Sequence, residues 1–412
     1  MSAAAHPLLH PLLVRVVARC LHAIFLENRH ADKVIEQALR SNPKAGSRDR
    51  AFIAETTYDV LRYYRLYTEI LGRQAKDEQD FWQLAGVHFA LKNIDLPPWQ
   101  EFKPLQSEAF FAKVKRWQLE GSTWPRSVRE SIPEWLDALG QTELPEHWAE
   151  SLSWLNRPAQ VVLRTNRLRT DPDALQQALL AEQISTERMP QSDALVLDVR
   201  KNVFRTTPFR KGWFEVQDYS SQLVAPLLAP EPGMRVVDAC AGGGGKTLHL
   251  AALMQNRGSL IALDTQAWKL LELRNRARRA GATNIETRPI ENRKTIKRLH
   301  GTADRLLLDV PCSGLGVLRR NPDAKWKLST QQIEQLQGTQ QEILQAYAPI
   351  TKAGGHLVYA TCSILPSENQ RQVEQFLSSE AGKAFVLLQE RRILPQDEGF
   401  DGFYMALLEK KT

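Results

Sequence analysis

From Pro11 to about Gly72 apolar residues recur three and four positions apart. Leu12, Leu13, Val16, Val17, Cys20, Leu21 and Ile24 form one stripe; Val34, Ile35, Ala38 and Leu39 form a second; Phe52, Ile53, Thr56, Val60, Leu61, Tyr64 and Ile70 form a third. That spacing gathers the apolar side chains on one face of a helix, so the stretch predicts three amphipathic helices sharing a core. Ser47 or Asp49 is placed to cap the third helix. Cys20 lies within the first stripe and reads as a small buried residue. Helical spacing continues through 81–91, 110–117 and 133–139, with Pro97, Pro98, Pro104 and Pro125 marking loops. The pattern predicts an all-helical domain over residues 1–145.

Near Pro158 the period shortens. Residues 160–166 read as a strand, 172–180 as a helix and 194–197 as another strand, which predicts a small α+β module over 146–213. From Phe214 short apolar runs alternate with helical spacing. Strands are predicted at 236–238, 260–264, 285–287, 305–309 and 356–360, with helices between them. Alternation of this kind makes an α/β domain, over 214–412, built on a mostly parallel, doubly wound sheet. Such sheets bind ligands at the C-terminal ends of their strands, so the residues after each apolar run carry the chemistry.

Composition changes this picture little. Of 412 residues 43% are hydrophobic and 25% charged, as in an ordinary globular protein, and the net charge of +7 leans toward an anionic partner. Four cysteines stand far apart with no clustered histidines, which predicts neither disulfides nor a bound metal and makes the cytoplasm the natural compartment. Met1 to Cys20 is apolar, but Arg15 and Arg19 interrupt it where the core of a signal peptide should run, and no stretch approaches a membrane span. Nothing demands more than a monomer. Basic residues crowd the small module (Arg164, Arg167, Arg169, Arg200, Lys201, Arg205, Arg210) and the later helices (Arg274, Arg276, Arg278, Arg279, Arg293, Lys294, Lys297, Arg298). They suit contacts to nucleic-acid phosphates, and equally a solvated basic face.

The first strand of the α/β domain stops at Asp238 and passes through Ala239, Cys240 and Ala241 into four glycines, Gly242 to Gly245, before Lys246 and Thr247 open a helix. Glycine lets a backbone approach its ligand closely, and the helix start offers free N–H groups. Gly245-Lys246-Thr247 imitates the end of a P-loop, yet that motif needs its first glycine where Cys240 stands. A dinucleotide fingerprint fails too, because the glycines are contiguous. The next strand ends at Asp264, where an acid can accept hydrogen bonds from ribose hydroxyls. An adenosine without a pyrophosphate fits best, which points to S-adenosylmethionine.

Two further strands end in cysteine motifs, Asp309-Val310-Pro311-Cys312-Ser313-Gly314 and Thr361-Cys362-Ser363. As neighbours in the sheet they would deliver two thiols to one pocket. A thiolate is a strong nucleophile that also leaves readily. Added at carbon 6 of a pyrimidine, it turns carbon 5 into an enamine able to attack a methyl sulfonium, provided the base is unpaired or flipped out of its stack.

These stretches, together with Trp213 to Asp218, the run from Arg319 through Asp323, and Asp401-Gly402-Phe403-Tyr404, resemble the RNA cytosine-C5 methyltransferases of the RsmB/Sun group from about Pro158 to the end of the chain. The helices before Pro158 look like the NusB-like RNA-binding domain fused to some bacterial members, through Arg48 to Phe52 and Ser131 to Leu136. The resemblance implies a class I methyltransferase fold acting on RNA, with ribosomal RNA as substrate before transfer RNA. It also implies that Cys362 attacks carbon 6, that Cys312 assists proton removal and product release, and that Asp309 holds the cytosine edge and contributes to the cofactor site. Cys240, Ala241, Gly242, Gly243, Gly244, Gly245 and Lys246 would wrap the methionine part of S-adenosylmethionine, Asp264 its ribose, and Glu291 the adenine side. Spacing alone does not rank one cysteine above the other. The family has alanine and proline where Gly242 and Gly243 stand. A non-catalytic RNA-binding assembly factor is the rival from another class, and it has no need of either thiol.

Overall fold

The computed structural model describes residues 9–412, which form two compact units. One holds the chain up to Asn156 together with Arg320–Leu328; the other holds Arg157–Arg319 and Ser329–Thr412. Of the apolar N-terminal stretch, residues 1–8 lie outside the described residues.

In the first unit α1 (Pro11–Phe25), α2 (Ala31–Ser41), α3 (Ser47–Arg62), α4 (Tyr64–Leu71) and α5 (Glu78–Leu91) surround one core. α5 is central: Phe81, Trp82, Leu84, Ala85, Val87 and Phe89 are all buried, and α1 packs against both α3 and α5. Cys20 is buried in α1. The third apolar stripe is two helices, not one. They part at Tyr63, and the Arg65 N–H goes to the Ser131 hydroxyl at 2.9 Å. Neither Ser47 nor Asp49 is the cap of α3. Gly46 takes that place, and the Asp49 carboxylate reaches back to accept its N–H at 3.1 Å.

This unit runs beyond residue 145, through a helix at Trp148–Leu155 whose buried Trp148 packs where Gly140 leaves no room for a Cβ. It also takes in a distant segment. The Trp326 indole donates to the Leu61 carbonyl at 2.6 Å and meets Tyr64 edge to face. The buried Lys325 ammonium donates to the Arg62 carbonyl at 2.8 Å. Asp323 accepts the first N–H of α2, a helix whose own leading residue, His30, gives no side-chain cap.

The second unit contains two sheets. β1 (Val162–Thr165), β2 (Thr186–Arg188), β3 (Ala194–Leu197) and β4 (Phe214–Val216) form an antiparallel sheet in the order β2-β3-β1-β4. The helix Pro172–Ala181 covers it, packing Leu175 and Leu179 on Leu163, Leu195 and Phe214. The larger sheet comprises β5 (Arg235–Asp238), β6 (Ser259–Asp264), β7 (Ile285–Pro289), β8 (Ala303–Asp309), β9 (Thr351–Thr361), β10 (Phe385–Ile393) and β11 (Phe403–Lys410), in the order β10-β11-β9-β8-β5-β6-β7. β5 to β9 pair in parallel, and β11 and β10 close one edge antiparallel, the class I methyltransferase arrangement. The middle strands are apolar on both faces because helices cover both. β10 left no such trace: Val386 to Arg392 lies largely exposed along the edge. Among the described residues no helix is long and apolar enough to cross a membrane.

His88 on α5 is buried with its Nδ1 2.9 Å from the Tyr67 hydroxyl. Burial first, then the Lys92 ammonium, push its pKa down from 6.5 to about 4 against the pull of Asp59. The folded value lies below the unfolded one, so this contribution is fully present above pH 6.5 and is lost as pH falls toward 4. The loss amounts to about 3 kcal/mol. His88→Gln is expected to flatten the fall in melting temperature between pH 7.5 and pH 4.5; an equally steep fall in the variant contradicts this assignment.

Candidate active site

Four strand ends build the site. Parallel register sets Asp238 beside Ala262, and Asp309 beside Ala360, so the residues leaving β5, β6, β8 and β9 emerge along one edge of the sheet.

After β5 the chain makes a tight turn, Gly244 N–H to Ala241 carbonyl at 2.9 Å, and starts the helix Gly245–Leu253. Gly242 and Gly244 have φ of +52° and +86°, the left-handed region that glycine enters without strain. A Cβ on Gly244 would strike Leu273, whereas one on Gly242 or Gly245 would meet nothing within 4 Å. The strip beside those two glycines is therefore open, and their backbone can lie against a ligand. Asp264 closes its far side, accepting the Gly242 N–H at 2.9 Å and the Gln266 N–H at 2.7 Å. One bond to each oxygen leaves lone pairs for a hydroxyl-bearing ligand. Open glycine backbone beside an anchored acid fits an adenosine cofactor.

The loop is braced from behind. The Arg164 guanidinium donates to the Gly245 carbonyl at 2.6 Å, and that of Arg276 to the Gly243 carbonyl at 2.6 Å. Glu215 on β4 holds Arg276 at 2.9 Å and Arg279 at 2.5 Å. Arg164 is buried, and burial lowers its pKa to about 10. Arg164 is thus removed from the basic face suggested by the sequence, and Arg276 and Arg279 are engaged inside the protein. Asp238 is also buried, which raises its pKa to about 7 against the hydrogen bond from the Thr247 hydroxyl at 2.7 Å. Burial first, then the charge of nearby Asp238, pushes the Cys240 thiol well up.

Lys246, one residue into the helix, donates to Asp309 at 2.6 Å with its ammonium 5.0 Å from the Phe403 ring centre. The two thiols meet: Cys312 Sγ lies 3.3 Å from Cys362 Sγ. That hydrogen bond, in which either sulfur can be the donor, then burial, raises the Cys312 thiol well above its ordinary pKa, which makes its sulfur the more basic when ionised. Contact between the cysteine loops is close. The Gly316 N–H donates to the Cys362 carbonyl at 2.9 Å, and a Cβ on Gly316 would lie 2.1 Å from the Gly402 carbonyl oxygen.

Of the residues singled out in the sequence, Cys240 to Lys246, Asp264, Asp309, Cys312 and Cys362 share this edge. Glu291 does not join their hydrogen bonds; it is exposed past the end of β7. Sequence reasoning missed Glu368, whose buried carboxylate accepts from Ser313 N–H at 2.8 Å, from the Ser313 and Ser363 hydroxyls at 2.5 Å each, and from Gln340 at 3.0 Å. Its only trace in the sequence is an acid-amide pair, Glu368-Asn369, six residues past Cys362.

Residues 225–409 match the family model described as 16S rRNA methyltransferase RsmB/F, and residues 132–204 match that of the RsmF/B-like ferredoxin-like domain. The chain is 32% identical to a probable ribosomal RNA small subunit methyltransferase B of Synechocystis, over 95% of this chain and 97% of that protein. It is 37% identical to the ribosomal RNA small subunit methyltransferase B of Vibrio cholerae, over 88% of this chain and 90% of that protein. A solved methyltransferase homologue from Pyrococcus horikoshii superposes with a TM-score of 0.62 at 26% identity, covering 70% of this chain and 98% of that one.

The approach of Gly316 to the Gly402 and Cys362 carbonyls leaves no volume for a methyl group. Gly316→Ala is expected to cost about 1–3 kcal/mol, read as a lower melting temperature by scanning calorimetry. An unchanged melting temperature contradicts this packing.

Proposed function

The chain belongs to the RsmB/F family of 16S rRNA methyltransferases, and on that premise we propose that it transfers a methyl group from S-adenosylmethionine to carbon 5 of a cytosine in ribosomal RNA. The observation that carries the reading is the pair of thiols 3.3 Å apart beside the glycine loop. An RNA-binding protein without turnover has no use for such a pair.

In this mechanism Cys362 adds its sulfur to carbon 6 of the target cytosine. Carbon 5 gains enamine character and becomes the nucleophile. The cofactor, when bound, supplies an electrophilic methyl group on a sulfonium. Asp309, fixed by Lys246, holds the cytosine edge, so the ring is oriented before the sulfur attacks. Methylation leaves carbon 5 with both a methyl group and a proton. Cys312, acting as its thiolate, takes that proton onto its sulfur; the electrons of the broken carbon 5–hydrogen bond re-form the carbon 5–carbon 6 double bond and expel Cys362 as a thiolate. A thiol suits both roles, because it adds readily and leaves readily.

Cys240, Ala241, Gly242, Gly243, Gly244, Gly245 and Lys246 are assigned to the methionine part of the cofactor, Asp264 to the ribose and Glu291 to the adenine side. The α+β module and the helical unit, read as NusB-like, are assigned to RNA. The cytoplasm, where ribosomal RNA is processed in bacteria, is the assigned compartment.

Cys312→Ala should accumulate a covalent protein–RNA adduct that survives denaturing electrophoresis, because the addition proceeds and the release does not. Cys362→Ala should form none. An adduct with Cys362→Ala alone reverses the two roles. Titration calorimetry with S-adenosylhomocysteine should show binding that Asp264→Ala weakens by roughly tenfold or more, the size of a lost hydrogen bond to a charged group. No heat of binding with the parent protein would sink the methyltransferase reading.

A further inference from the structure

We propose that Glu368 is a positioning residue for the two cysteines, and the inference rests on the methyl-transfer reading above. Glu368 ends a short turn, Pro366–Glu368, and its side chain is fully buried. The residue following each cysteine bonds to it. Ser313, next to Cys312, gives both its N–H and its hydroxyl; Ser363, next to Cys362, gives its hydroxyl. The two hydroxyls also stand 3.2 Å from each other. One carboxylate therefore fixes both loops one residue away from their sulfur atoms.

Neighbouring residues extend the same clamp. Gln340 donates to Glu368 and, through the same amide nitrogen, to the Pro311 carbonyl at 3.0 Å, steadying the Cys312 loop from its other side. Asn369 donates to the Ser363 carbonyl at 3.0 Å and accepts from the Thr361 hydroxyl at 2.5 Å, so the residues flanking Cys362 are both held. The Glu368 carbonyl takes the Tyr359 hydroxyl at 2.7 Å, tying the turn to β9. The charge of Glu368 adds to the Cys362 hydrogen bond and burial in raising the Cys312 thiol above its ordinary pKa.

A carboxylate is suited to this place by its acceptor capacity. It takes several donors from two directions and has no donor of its own to satisfy. Neither serine hydroxyl need touch substrate. Each holds its loop against the carboxylate, and the carboxylate holds the two loops at the separation that sets the sulfur-to-sulfur contact. Small displacements of reacting groups are costly, and both the addition and the release require the sulfurs in register with the ring.

The test uses the full-length protein with S-adenosylmethionine and an RNA substrate that the parent methylates. Glu368→Gln keeps the shape and one acceptor oxygen but puts a donating amide NH2 where the other oxygen accepted the serine hydroxyls. The expected result is a kcat lower by about tenfold or more, with KM for RNA and for cofactor within about twofold of the parent. The double variant Ser313→Ala/Ser363→Ala keeps the carboxylate and removes the hydroxyls; it is expected to lose kcat in the same way, and it stands in if Glu368→Gln fails to fold. Unchanged kcat in both overturns the proposal. So does a parallel loss of kcat, cofactor binding and melting temperature in both, which would mark a general packing role. If the parent protein methylates no cytosine in any ribosomal RNA offered, the methyl-transfer reading itself fails, a result visible before any substitution is made.

Discussion

The parallel pairing of β8 with β9 is the constraint on which the site depends. Parallel strands leave a sheet at the same end, and the register that sets Asp309 beside Ala360 brings the two cysteine loops out side by side. A shift of one residue would turn every side chain of a strand to the opposite face. Leu306, Leu308, Leu357 and Tyr359 are fully buried in one core layer, and Leu307, Val358 and Ala360 in the other, so a slipped register would exchange the two layers. Packing inside the sheet thereby fixes chemistry at its rim.

The glycine loop is governed by a different force. A run of four glycines has little conformational preference of its own and loses much backbone entropy when ordered. Here that order is imposed by neighbours: Asp264 takes an N–H on the open side, and two guanidiniums take carbonyls on the other. Arg164 comes from β1 of the small sheet, and Glu215 of the same sheet holds Arg276. The antiparallel module is therefore part of the glycine loop's support, whatever else its surface does.

Much of this was legible in the sequence for a physical reason. Buried parallel strands are runs of Val, Leu, Ile and Ala that stop at an acid, as at Asp238, Asp264 and Asp309, and those stops line the candidate site. Short or edge elements were not legible. β2 and β4 span three residues each, and β10 is mostly exposed, so none shows a run long enough to stand out. Basic residues misled for the converse reason: charge read along a chain does not reveal direction, and Arg164, Arg276 and Arg279 turn inward to carbonyls and to Glu215. Glu368 was invisible because an isolated acid after a proline ordinarily marks a solvated turn.

The segment Arg320–Leu328 begins eight residues after Cys312 and belongs to the helical unit. Trp326 reaches a carbonyl 265 positions earlier in the chain, and Asp323 caps a helix 292 positions earlier. On the ribosome the first 156 residues are thus made without a piece of their own fold. At the usual pace of synthesis the wait is on the order of ten seconds or more. Through that interval the N-terminal helices carry an open seat for Trp326, and their completion keeps time with the emergence of the cysteine loops rather than with their own translation.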